Sequence, residues 1–142
     1  MAVNIYVNFN GNCREAVEFY AKVFGIEKPR IMTFGDMRPD PGFPLTEETK
    51  ALVLNTSLII NGSNVRFSDC PPGKPVIVGN NISLIIENKN IDEIKSLFNK
   101  LKEGGSVTME PQETFWTKCY GFVIDKYGIG WQLSHDNGKI KI

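Results

Sequence analysis

The chain has 142 residues, of which 42% are hydrophobic and 23% charged, the profile of one soluble globular domain with room for a substantial core. Its 16 Lys+Arg balance 16 Asp+Glu. A nucleic-acid binder needs a basic surface to displace counterions, so that partner class is set aside. No apolar run reaches the ~20 residues of a membrane span.

The N-terminal segment Met1-Ala2-Val3-Asn4-Ile5-Tyr6 has no basic stretch and already alternates. It reads as the approach to a strand over Val3 to Phe9 rather than as a signal peptide. Asn12 follows as a helix N-cap with Glu15 three residues on, a capping box in which each side chain satisfies a free backbone N–H. Ala16, Phe19, Tyr20, Val23 and Phe24 recur at helical spacing, and Gly25 supplies the stop. Arg30 to Phe34 reads as a second strand. Gly35 to Glu48, with Pro39, Pro41, Gly42 and Pro44, is the longest irregular stretch, of the kind that serves as a lid or binding loop.

Ala51 to Ile60 and Ser63 to Asp69 are two strands joined by the hairpin signal Asn61-Gly62. Residues 70–80, with Pro71, Pro72, Gly73, Pro75 and Gly79, form a linker. Asn81 to Glu87 is again a strand. Asn90 caps a second helix whose apolar face is Ile91, Ile94, Leu97, Phe98 and Leu101, ending at Gly104-Gly105. Ser106 to Met109, Lys118 to Asp125 and Gly130 to Ser134 supply three more strands, the last two joined at Tyr127-Gly128.

The chain repeats itself. Asn10-Gly11-Asn12-Cys13-Arg14-Glu15 and its helix recur 78 positions later as Asn88-Lys89-Asn90-Ile91-Asp92-Glu93, and Asn61 to Ser68 matches Tyr127 to Ser134 at an offset of 66. Two βαβββ modules, 1–69 and 81–136, follow from this. The fold class is α+β, a curved mixed sheet around a cup, with any site expected in the space the halves enclose. Cys13, Cys70 and Cys119 are an odd number without a Cys-x-x-Cys spacing. With no secretion signal, that composition predicts a reducing, cytoplasmic setting.

Tandem βαβββ modules resemble the vicinal oxygen chelate superfamily, which includes glyoxalase I, extradiol dioxygenases and bleomycin-resistance proteins. Phe9-Asn10-Gly11-Asn12-Cys13-Arg14-Glu15-Ala16, Phe19-Tyr20, Glu113-Thr114-Phe115-Trp116, Tyr120-Gly121 and Asp125-Lys126-Tyr127-Gly128 look like its PhnB-like branch. The resemblance implies a homodimer and a divalent ion held by the first and last strands of each module. Aligned on the helix motif and the last hairpin, those positions are Ile5, Arg66, Ser83 and Gln132. Isoleucine cannot ligate, a guanidinium places fixed positive charge where a cation would sit, and Gln132 is at best a weak oxygen ligand. No metal or other cofactor is therefore expected. Members are also described as a demethylubiquinone methyltransferase. The chain has no glycine-rich loop after its first strand of the kind a Rossmann nucleotide site needs.

Arg66, Ser83 and Gln132 are candidate ligand-binding residues, with Arg66 suited to a carboxylate or phosphonate. Phe115, Trp116 and Tyr120 are candidate aromatic walls, while Trp131 reads as packing. Glu113, if desolvated, is a weak candidate base, and Cys119 beside Lys118 a weak candidate nucleophile. A metal-independent protein that binds an unidentified small molecule in the cup is the leading reading. A glyoxalase-type lyase or isomerase with non-standard ligands and a dimeric structural domain are the alternatives.

Overall fold

The computed structural model describes residues 1–37 and 45–138 of the chain, which forms two compact units, Met1–Ile77 and Val78–Ile142. The division falls within the proline-rich 70–80 segment. Pro39, Pro41, Gly42 and Pro44 of the expected loop lie outside the described residues.

The first unit runs β1 (Ile5–Phe9), α1 (Cys13–Phe24), β2 (Met32–Thr33), a 3-10 turn (Phe34–Asp36), α2 (Glu47–Lys50), β3 (Val53–Ile60) and β4 (Ser63–Asp69). Its sheet has the order β1-β4-β3-β2, with β1 parallel to β4 and the other pairs antiparallel. The second unit repeats this as β5 (Ser83–Asn88), α3 (Ile91–Leu101), β6 (Ser106–Gln112), β7 (Tyr120–Ile124) and β8 (Gly130–His135), in the order β5-β8-β7-β6. Both are the βαβββ module read from the repeat, and the α+β fold class holds.

Each helix covers one face of its own sheet. Ala16, Val17, Tyr20 and Ala21 of α1 are buried, and the Tyr20 ring stacks on Phe67 of β4 at 5.8 Å. Val65, Phe67 and Asp69 therefore lie on the covered face, and Arg66 and Ser68 on the helix-free one. In the second unit Phe98 of α3 sits against Gly121, where an added Cβ would meet its ring at 3.0 Å. Leu133, paired with Gly121, and Trp131, paired with Val123, complete that covered face. Each large apolar side chain so buried contributes roughly 1.5–3 kcal/mol.

Three local expectations are corrected. Asn12 makes no side-chain cap. Instead Asp69, at the end of β4, accepts from the Gly11 and Cys13 N–H groups at 2.9 and 3.0 Å and from Val53 N–H at 2.9 Å. The N–H groups that flank Asn12 are thus held by a carboxylate of the neighbouring strand rather than by the local amide. Asn90 does cap, accepting from Glu93 N–H at 3.2 Å. The strand expected over Arg30 to Phe34 shrinks to two residues, because the Asp36 carboxylate accepts from Thr33 N–H and Oγ1 and folds the chain into the 3-10 turn. Conversely β6 runs on to Gln112 through bulges, an exposed edge strand that tolerates Pro111.

The repeat is not in uniform register. Three residues separate β1 from α1 and two separate β5 from α3. The extra residue is accommodated at Gly11, whose φ of +90° a side chain would resist. One residue flips a strand's faces. Ile5, aligned with Ser83 by sequence, pairs with Val65 on the covered face, whereas Tyr6 pairs with Arg66. Ile5 thus corresponds to Leu84 rather than to Ser83, and lies on the face opposite to the one that carries Arg66.

Candidate functional site

The helix-free face of the second unit carries a directed chain of hydrogen bonds. Tyr120, opening β7, lies opposite Ser134 and diagonally across from Gln132 on β8. Its hydroxyl donates to Gln132 Oε1 at 2.8 Å, and Gln132 Nε2 donates to Ser83 Oγ at 2.7 Å. Burial raises the Tyr120 phenol above its usual value, so it stays a neutral donor at physiological pH. The Gln132 amide is thereby fixed at both ends, and the Ser83 O–H is left to donate outward. Gly130 leaves space for the Phe122 ring, which a Cβ there would contact at 3.4 Å. Phe122 pairs with Gln132 across the strands and shares this face.

Aromatic rings extend from the relay. Trp116 meets Tyr120 edge-on at 5.4 Å, and Phe115 meets Trp116 at 4.8 Å. Phe115 is 98% exposed and Trp116 52%. Trp131, by contrast, is buried, and its indole N–H donates to Asp125 at 2.8 Å. The same carboxylate accepts from the Tyr127 and Ile129 N–H groups and organises the β7–β8 turn.

The first unit's helix-free face holds Arg66. Its Nη2 donates to Asn55 Oδ1 at 3.0 Å, and its guanidinium lies 5.8 Å from the Tyr6 ring centre. Nearby, Ser68 Oγ donates to Asn8 Oδ1 at 3.2 Å. Tyr6 and Asn55 were not singled out from sequence. The alternation of Tyr6 and Asn8 along β1 was the available signal, but the one-residue slip concealed which face they share.

Of the sequence candidates, Ser83, Gln132, Tyr120, Trp116 and Phe115 come together in one unit, and Arg66 stands with different neighbours in the other. Glu113 is exposed in the loop after β6, without the desolvation a base requires. Cys119 is buried, and burial raises its thiol, opposed by Lys95 rather than by the expected Lys118. Burial, reinforced by the Asp69 carboxylate, pushes Cys13 from 9.0 up to about 12. Both thiols are therefore protonated and poor nucleophiles.

The residues at the superfamily's metal positions do not fit a divalent ion. Ile5 brings a hydrocarbon side chain, Arg66 a positive charge, Ser83 a hydroxyl, and the one amide oxygen, Gln132 Oε1, already accepts from Tyr120. Among the described residues no group of three or more His, Cys, Asp or Glu could hold a metal.

A family model described as 3-demethylubiquinone-9 3-methyltransferase matches residues 2–134. The chain belongs to this PhnB-like family. It is 30% identical to Protein YjdN of Escherichia coli K12, over 94% of this chain and 95% of that one. The crystal structure of PA1353 from Pseudomonas aeruginosa superposes with a TM-score of 0.81 at 29% identity, covering 96% and 98% of the two chains. The PhnB protein from Bacillus cereus gives 0.74 at 24% identity over 96% and 100%. A glyoxalase/bleomycin resistance protein from Albidiferax ferrireducens shares the fold, with a TM-score of 0.62 at 14% identity over 96% and 98%. Each sheet has a single parallel pair, not the doubly wound parallel order that builds a Rossmann nucleotide site.

Proposed function

We propose that this PhnB-like protein binds a small molecule with a planar apolar part on the helix-free face of its second sheet, without a metal ion. The observation that carries the reading is the Tyr120–Gln132–Ser83 relay bordered by Trp116 and Phe115. Exposed aromatic rings beside a few fixed polar groups are the ordinary makings of a ligand site, the rings supplying area and the relay orientation. A relay locked at both ends is pre-organised, so a ligand oxygen that accepts from Ser83 meets a donor whose ordering cost is already met. A neutral phenol, an amide and a hydroxyl have no base or nucleophile among them, which favours binding over catalysis.

The test uses 1-naphthol, a planar neutral probe with one hydroxyl, in an NMR titration that follows the Gln132 side-chain amide and the Trp116 indole N–H. Saturable shifts of both are expected, with no change on adding divalent metal. Gln132→Leu is expected to weaken binding roughly fivefold, the worth of about one hydrogen bond. Absence of saturable binding, or equal affinity in Gln132→Leu, rejects the reading.

A further inference from the structure

We propose that the helix-free face of the first unit is an oxyanion site of its own, in which Arg66 grips the carboxylate of a small molecule. This extends the small-molecule reading above to the first unit and names the charge that unit would take and the residue that selects it. Arg66 lies in mid-β4, between Tyr6 across the parallel pair and Ser57 across the antiparallel one, with Asn55 one step along β3. Its side chain is half-buried. Among the described residues its one hydrogen bond goes to a neutral amide oxygen, and the group beside it is a tyrosine ring. Neither cancels its charge.

No carboxylate stands within ion-pair distance of Arg66 among the described residues. The strand residues that share its face include Tyr6 and Asn8 on β1, Asn55, Ser57 and Ile59 on β3, and Asn64 and Ser68 on β4, and none of these is charged. Asp69, the acid of β4, points to the covered face and is committed to three backbone N–H groups. A partly dehydrated guanidinium without a counter-charge gains more from an anion than an exposed one does, because the surrounding medium screens less.

The geometry also selects the kind of anion. One cation amid amides and hydroxyls balances one negative charge, which suits a carboxylate and leaves a phosphate dianion half matched. A planar guanidinium offers parallel N–H bonds to the two oxygens of a carboxylate. Asn55 at one corner and Tyr6 against its plane act as positioning residues that hold the fork in place, reducing the entropy lost when it closes on the ligand.

The experiment follows the Arg66 Nε–Hε NMR signal while titrating sodium benzoate, benzamide or inorganic phosphate. Benzoate is expected to shift it saturably, benzamide not at all, and phosphate more weakly than benzoate. Arg66→Gln is expected to abolish benzoate binding. Arg66→Lys, which keeps the charge and loses the fork, is expected to weaken it roughly tenfold. Asn55→Ala is expected to broaden the Arg66 signal and weaken benzoate a few-fold while leaving 1-naphthol binding unchanged, a pattern that a general loss of stability does not produce. Equal benzoate affinity in Arg66→Gln overturns the proposal, as does tighter binding of phosphate. If 1-naphthol binds and benzoate does not, the carboxylate site is wrong and the small-molecule reading stands. If neither binds, both are wrong.

Discussion

Three backbone N–H groups converge on the buried carboxylate of Asp69: Gly11 and Cys13 at the entry of α1, and Val53 at the start of β3. One side chain thus satisfies a helix terminus and ties it to two strands. Removing it leaves the buried Cys13 and Val53 N–H groups with no acceptor, each costing about 1–3 kcal/mol, while the exposed Gly11 N–H can turn to water. Asp69→Ala is expected to lower stability by about 3–5 kcal/mol in urea unfolding, a large share of the roughly 5–15 kcal/mol that holds a typical domain together. Asp69→Asn keeps one accepting oxygen and is expected to lose less. A loss under about 1 kcal/mol for the alanine variant would show that water or another group takes over the cap. Nothing in the local sequence marks Asp69 for this role, because its partners lie 58, 56 and 16 residues away. Asp125, whose partners are two to six residues off, holds its turn by shorter-range contacts that a sequence reading can reach.

At the scale of elements, the two helices show how far a local motif can be trusted. Their faces are both set by apolar spacing and both were legible, because burial follows the 3.6-residue period wherever the helix meets a sheet. Their starts differ. Asn12 and Asn90 occupy the same place in the repeat, yet only Asn90 accepts from its N3 backbone N–H. Asn90→Ala is accordingly expected to cost about 1 kcal/mol, and Asn12→Ala only a few tenths. Matched thermal or urea unfolding of the two variants checks this, and equal losses would place a cap at Asn12 after all. The hairpin at Asn61-Gly62 was legible for a related reason. Its residues adopt φ of 51° and 88°, a conformation that this dipeptide favours without help from the rest of the chain. The short β2 was not legible, since the Asp36 side chain that ends it competes with strand pairing through bonds to Thr33 that composition does not reveal.

At the scale of the molecule, duplication specifies the scaffold and leaves the site free to change. Both units keep the same strand order and the same helix-covered face. The helix-free faces have diverged, one toward an arginine among amides and hydroxyls, the other toward a phenol–amide–hydroxyl relay with aromatic rings. Sequence comparison of the halves found the scaffold and misassigned Ile5, because an alignment that is one residue out at Gly11 preserves the helix match while inverting the strand. The donor inventory leads to the last prediction. A cation at Gln132 would share Oε1 with the Tyr120 hydroxyl, and Ser83 beside it adds no anionic oxygen. An ion present at a hundredfold its dissociation constant would stabilise the fold by about 2.7 kcal/mol, roughly 5–11 °C for a chain of this size. Protein dialysed against chelator and then supplied with Ni²⁺, Zn²⁺ or Mn²⁺ is expected to show no such rise and no stoichiometric uptake by elemental analysis. One equivalent of bound ion together with a rise of that size would mean that the relay opens to ligate, and would overturn the metal-free reading.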